Sequence, residues 1–265
     1  MVTSLLHKIS ELIDSHFDTI ITNFLGIIPG LEDDAELEGS GNSLVDLFLK
    51  IMGEEPNKQE EDALKSLLII ANGYMEALKE RTKTKSIQDV NAYITNTKSK
   101  LQTVKIKEIK ELVSKNLNQA ENQVNLIVSA ESNKVTNTSM GLKIVKIASN
   151  LDDSDPVVGF NVTRDDVTGP YEYILHLLPD RVTPRLWKLS EISHNYYKNG
   201  DQYPSMSGLH VHCRCRLFYL PKGYGFDSSG NIKFISLNHD EFKIQRAKYG
   251  LPSVPAKISR SKKTK

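Results

Sequence analysis

The sequence predicts an α+β fold, with a helical N-terminal region and long helices followed by a small, partly antiparallel sheet domain. Three observations carry this reading. Apolar residues recur at helical spacing through the N-terminal half of the chain. No glycine falls between Gly73 and Gly141 and no proline between Pro56 and Pro156, so that stretch is free of the strongest helix breakers. Eight of the ten prolines fall from Pro156 onward, among short runs rich in β-branched and aromatic residues.

Each element follows from a local pattern. Leu5, Leu6, Ile9, Leu12, Ile13, Phe17, Ile20, Ile21 and Phe24 form one stripe, which predicts an amphipathic helix ending near Gly26 to Gly30. A polar loop, LEDDAELEGSGNS, follows. Leu44 to Met52 predicts a short helix, and Lys58 to Arg81 another, with a stripe of Leu64, Leu67, Leu68, Ala71 and Met75. Together these make a helical N-terminal domain over residues 1–85. Ser86 and Asp89 have the spacing of a capping box and predict a new helix start. Long helical segments are expected over 86–150, carried by Ile106, Ile109, Leu112, Val113, Leu117, Ala120, Val124 and Ile127. The asparagine-rich parts, 116–125 and 133–137, are expected to bend or break them.

The α+β region, 151–239, contains four β-like runs: Val157 to Val162, Tyr171 to Leu178, Leu209 to Leu220 and Ile232 to Leu237. Turn signals at Thr168-Gly169-Pro170 and at Asp227 to Gly230 separate them. Residues 240–265 predict a short helix and a disordered basic tail.

Composition bounds the partners. The chain has 265 residues, 39% hydrophobic and 25% charged, with a net charge of +1, so total charge selects no ligand class. The charge is polarised, however. Residues 1–60 hold twelve acids against three Lys/Arg, and the residues from Asp240 hold two acids against eight. Such a gradient fits a protein oriented in an assembly, a tail near nucleic acid, or simply two ordinary solvated surfaces. The N-terminus lacks the shape of a secretory signal, and no apolar run approaches a membrane span. Two cysteines one residue apart do not readily bridge. Disulfide staples are therefore not expected, and a reducing compartment is.

The densest chemistry lies in residues 208–221, GLHVHCRCRLFYLP. His210, His212, Cys213 and Cys215 are four ligand-type side chains within six residues. Structural zinc usually draws ligand pairs from two separated segments. In a regular strand over 209–220, Cys213 and Cys215 share one face with Leu209, Val211 and Leu217. His210 and His212 share the other with Arg214 and Arg216. One ion then cannot collect both kinds of donor. A turn at 209–213 restores the site, with His194, His210, Cys213 and Cys215 as the candidate metal set. His176 and His239 are the other distant imidazoles. The strand reading also separates thiol from imidazole, so the expectation is structural thiols, no catalytic residue, no cofactor and no enzyme.

Nothing elsewhere changes this. No P-loop, CxxC, HExxH or serine-elbow motif occurs. Asp165, Asp166 and Asp180 read as solvent-facing loop aspartates. Arg181 and Arg185 flank Pro184 and Trp187 as ion-pair formers. Glu131 and Asn137, six residues apart, read as a cap and a buried hydrogen bond. Trp187, Tyr196 and Tyr197 read as packing.

The segment GLHVHCRCRL resembles the terminal signature of the phage Mu F-like minor head protein family, also called head morphogenesis proteins. His210, Cys213, Arg214 and Cys215 match it, while Val211 and His212 stand where proline and asparagine are usual. Asp180, Arg181 and Pro184 resemble the family's acid-arginine-valine-x-proline element. Glu131 and Asn137 resemble its helix carrying a glutamate and, six residues on, an asparagine. Ser129 stands in place of the usual arginine. Thr183 and Leu186 stand where many members have a cysteine pair, so no zinc site through that pair is implied. The resemblance spans roughly residues 100–220.

Membership implies a non-enzymatic structural protein of a tailed bacteriophage head, bound at or near the portal and assisting head assembly, DNA packaging or DNA delivery. The implied partners are the portal protein, the major capsid protein or both, with no membrane. The implied places are the virion head and, during assembly, the host cytoplasm. Lys257, Arg260, Lys262, Lys263 and Lys265 are the expected contacts to packaged DNA. The alternatives are a small zinc- or thiol-dependent enzyme on the α+β domain, and a nucleic-acid-binding adaptor.

Overall fold

Helix-forming sequence without breakers dominates the first half of the computed structural model, which describes residues 2–25, 43–53, 55–164, 168–210 and 212–256. Most of the expected polar loop, Asp165, Asp166, Val211 and the basic tail with Lys257, Arg260, Lys262, Lys263 and Lys265 lie outside these residues. The chain divides into two units, 1–50 with 56–131, and 51–55 with 132–265.

The first unit is helical. Helix α1 (Val2–Leu25) packs on α3 (Lys58–Ser99), burying Ile9, Ile13 and Phe17. Lys79–Asp18 at 3.1 Å and Lys83–Asp14 at 2.6 Å join the two helices at their solvent edge. Between them in sequence is α2 (Leu44–Met52), as expected. Asn57 caps α3: its side chain accepts from the Glu60 N–H at 3.1 Å, and Glu60 accepts from the Asn57 N–H at 2.7 Å.

Helix α3 runs straight through the start expected at Ser86. There the buried Ser86 hydroxyl accepts from Asn116 on α4 (Ile106–Ser149) at 3.3 Å. The buried row Thr82, Ser86, Val90 and Ile94 continues the stripe of Leu64 to Leu78, and that continuity outweighs a local capping signal. Helix α4 is likewise unbroken through both asparagine-rich parts. Its buried asparagines bond to other segments of the chain. Each such bond contributes about 1 kcal/mol, more than the few tenths that asparagine costs a helix.

The second unit is α+β, as the sequence predicts. Strands β1 (Val157–Asn161), β2 (Leu186–Lys188) and β3 (Arg216–Tyr219) form an antiparallel sheet in the order β2-β1-β3. Val158 pairs with Trp187 on one side and Tyr219 on the other. Strands β4 (Tyr224–Phe226) and β5 (Ile232–Phe234) form a separate hairpin. The core gathers Trp187, Phe160, Leu175, Leu177, Ile192, Leu217 and both cysteines. The Trp187 ring N–H donates to the Leu175 carbonyl at 2.9 Å. Helix α6 (Glu241–Tyr249) is fixed through Gln245, which accepts from the Leu186 N–H and donates to the Pro184 carbonyl.

Two expected strands are corrected. Residues Tyr171 to Leu178 begin instead as helix α5 (Pro170–Leu175). Pro170 suits a first helical turn, and the Glu172 carboxylate takes up the Gly169 N–H. The run from Leu209 to Leu220 reduces to β3, and residues 209, 210 and 212–215 stand outside the ladder. No described helix is long and apolar enough to cross a membrane.

Candidate metal centre

The segment 206–217 is bent because its backbone bonds go to helix α4 and to local turns. Gly208 sits at φ +81°, and its N–H donates to the Ser205 carbonyl at 3.0 Å. The Cys213 N–H turns back to the His210 carbonyl, also at 3.0 Å. Asn133 and Asn137 lie one turn apart on α4 and grip the chain on both sides of this bend. The Asn137 amide donates to the carbonyls of Met206 (3.1 Å) and Cys215 (3.2 Å) and accepts from the Leu217 N–H (3.1 Å). Asn133 donates to the Ser207 carbonyl at 3.1 Å and accepts from Arg216. The turn undoes the alternation that had separated imidazole from thiol.

Helix α5 supplies the remaining donor. Glu172 Oε2 lies 3.1 Å from His210 Nε2 and also accepts the Gly169 N–H. Its Oε1 accepts from the Cys215 thiol at 3.1 Å and the Cys213 thiol at 3.5 Å. Ligand-type atoms of Glu172, His210 and Cys213 all lie within 4.8 Å of one another, the only such group of three or more among the described residues. The Glu172 side chain is 5% exposed and that of His210 39%, so the cluster opens to solvent on the imidazole side.

Electrostatics follow from this packing. Burial acts to raise the Glu172 pKa, but His210, the Gly169 N–H and the Cys215 thiol outweigh it and bring it down to about 2. The thiols behave as a pair. A hydrogen bond from Cys215 lowers the Cys213 pKa against burial. Cys215 is pushed up by its bond to Cys213, by burial and by the Cys213 and Glu172 charges. His176, one helical turn after Glu172, is fully buried and stacked on Phe160 at 4.2 Å. Neither of its ring nitrogens has a hydrogen-bond partner among the described residues. Burial lowers its pKa to about 3 against the pull of Glu172.

The sequence-predicted candidates fare unequally. His210 and Cys213 enter the cluster and Cys215 lies against it, whereas His194 is exposed and outside it. Sequence reasoning missed Glu172. Its signal was the run Gly169-Pro170-Tyr171-Glu172, a helix start read as a turn before a strand. His239 pairs with Glu241 at 2.8 Å, away from this group. Asp180 caps its own turn, accepting from the N–H groups of Val182 and Thr183 at 2.9 Å. Arg185 donates to the Ile174 and Gly250 carbonyls rather than to a carboxylate, and Arg181 lies over the Tyr173 ring. Asn137 is the buried hydrogen-bonding residue expected, and Glu131 is buried within α4.

The cluster overturns the expectation of a chain that is no enzyme, because Glu172, His210 and Cys213 converge as a metal-ligand set would. That expectation assumed an alternating strand at 209–215, and the turns and the asparagine contacts remove it. Tetrahedral zinc places its ligand atoms roughly 3.3–3.6 Å apart, so side-chain shifts of about 1 Å close the three donors around an ion. Comparison with family models, with curated proteins and with solved structures returns no match.

Proposed function

We propose that the second unit carries a zinc-dependent catalytic centre held by Glu172, His210 and Cys213, with metal-assisted hydrolysis as its reaction class. The observation that carries this reading is the convergence of the three donors within 4.8 Å. Charge is compatible with it: Glu172 is held ionised by its protein partners and Cys213 is the thiol of the pair drawn toward ionisation, so both suit an anionic ligand's role. Carboxylate, imidazole and thiolate are the ligands zinc takes, and three protein ligands leave a position for water. A zinc held there would supply an activated water near neutral pH. Cys215, held protonated, donates to Glu172 and fixes its orientation as an outer partner.

The test is metal analysis of the purified chain joined to a panel of ester, phosphoester and peptide substrates. About one zinc per chain is expected, absent from Cys213→Ser. Hydrolysis of one substrate class should disappear on chelation and return with zinc. A folded chain that takes up no zinc overturns the reading.

A second reading concerns where the unit works, and it is compatible with a metal centre. We propose a minor head protein of a tailed phage, partnered by the portal or the major capsid protein. The supporting observation is that Asn137 and Cys215, from separate parts of the resemblance, meet at 3.2 Å. Co-purification with assembled heads is expected, and absence from them contradicts it.

A further inference from the structure

We propose that Cys213 and Cys215 are a redox gate on this centre: a hydroperoxide converts them to a Cys213–Cys215 disulfide, and the metal leaves. The metal half rests on the zinc reading above. The disulfide half rests on the sulfur geometry alone.

Three observations carry it. Both sulfurs lie against the same carboxylate oxygen, Glu172 Oε1, at 3.5 and 3.1 Å, which brings them within hydrogen-bonding reach of each other. Residues two apart on a regular strand stand about 6.6 Å apart along it, so this contact exists only because residues 212–215 leave the ladder. The two cysteines are also held differently. Asn137 grips the Cys215 carbonyl and the Leu217 N–H, whereas the backbone bonds of Cys213 stay local: its N–H goes to the His210 carbonyl and its sulfur takes bonds from Leu209 and Cys215. Cys213 is therefore the half that moves. Between them Arg214 is exposed, so rotating the intervening peptide displaces no core side chain. The half-exposed His210 marks the side from which a small oxidant enters.

The chemistry balances. The Cys213 sulfur attacks one peroxide oxygen, the O–O bond breaks, and an alcohol (water, for hydrogen peroxide) leaves. Cys213 becomes a sulfenic acid. The Cys215 sulfur then attacks it, the S–S bond forms, the S–O bond breaks, and water leaves with the Cys215 proton. For the loaded chain, one thiolate, one thiol, one hydroperoxide and one proton from solvent give one disulfide, one alcohol and one water. The oxidised sulfur is no longer a thiolate ligand, and Glu172 and His210 alone are too few for zinc. A bridge across one intervening residue is strained and hence easily reduced, which suits a reversible gate and not a staple.

The experiment loads the full chain with zinc, adds hydrogen peroxide, and follows zinc release with a chromogenic chelator. Free thiols and the mass of the peptide containing 213–215 are measured in parallel. Expected is release of the bound zinc together with loss of both thiols and of two hydrogens from that peptide, all reversed by a dithiol reductant. Cys215→Ser should form no bridge and should instead carry a sulfenic acid at Cys213. Zinc retained with both thiols intact overturns the gate, as does oxidation to sulfinic acid with no bridge. A chain that binds no zinc at the loading step overturns the zinc reading and the metal half with it. The peptide mass still decides the disulfide half.

Discussion

Glu172 Oε2 sits 3.1 Å from His210 Nε2, joining the first turn of α5 to a loop that precedes β3. This contact turns a crowded stretch of sequence into a site, because the same carboxylate takes up both thiols on its other oxygen. Glu172→Gln keeps the shape and removes the charge. It should lower zinc affinity beyond the roughly 10–100-fold that loss of an outer partner costs, while the circular dichroism of the chain stays unchanged. Competition with a chromogenic chelator measures it.

Asn137 is fully buried and satisfies three main-chain groups at once. Asn137→Ala leaves the Met206 and Cys215 carbonyls and the Leu217 N–H without that partner. A loss of about 3 kcal/mol in unfolding free energy is expected, read from denaturant unfolding. Asn57→Ala, at the cap of α3, should cost only about 1 kcal/mol.

Gly208→Ala tests the turn that bends the segment. At φ +81° a side chain is strained, and the added carbon meets the Asn133 amide at 2.5 Å and the Cys213 Cβ at 2.6 Å. Destabilisation of at least about 2 kcal/mol is expected, with weaker zinc uptake because the Cys213 sulfur lies 3.0 Å from that carbon.

His176 sets a pH dependence. Its folded pKa is about 3, below the ordinary histidine value of 6.5. Between those values the unfolded chain binds a proton that the folded chain does not. Stability therefore falls as pH drops from 6.5 toward 3, by up to about 1.4 kcal/mol per pH unit from this group. His176→Phe, which keeps the stack on Phe160, should flatten the curve in that window. Unfolding curves recorded at successive pH values check this.

Much of the architecture is legible in the chain. The stripe from Ile9 to Phe24 and the one from Leu64 to Met75 mark α1 and α3, and the proline-rich second half marks the sheet. What failed was local grammar overruled by tertiary contacts. Ser86 looks like a cap until Asn116 is placed across from it. The row from Leu209 to Tyr219 alternates like a strand, yet Asn133 and Asn137, far earlier in the chain, claim the backbone bonds that set its path. The site was half legible. His210, Cys213 and Cys215 stand together in sequence, but Glu172 reaches them only through a helix start that no periodicity over 171–178 reveals.

Zinc X-ray absorption on the loaded, reduced chain decides whether the three donors hold a metal. A centre built from Glu172, His210 and Cys213 gives one sulfur at about 2.3 Å and nitrogen or oxygen ligands at about 2.0–2.2 Å, with the sulfur lost in Cys213→Ser. A spectrum without zinc–sulfur scattering, or one unchanged by that substitution, contradicts it.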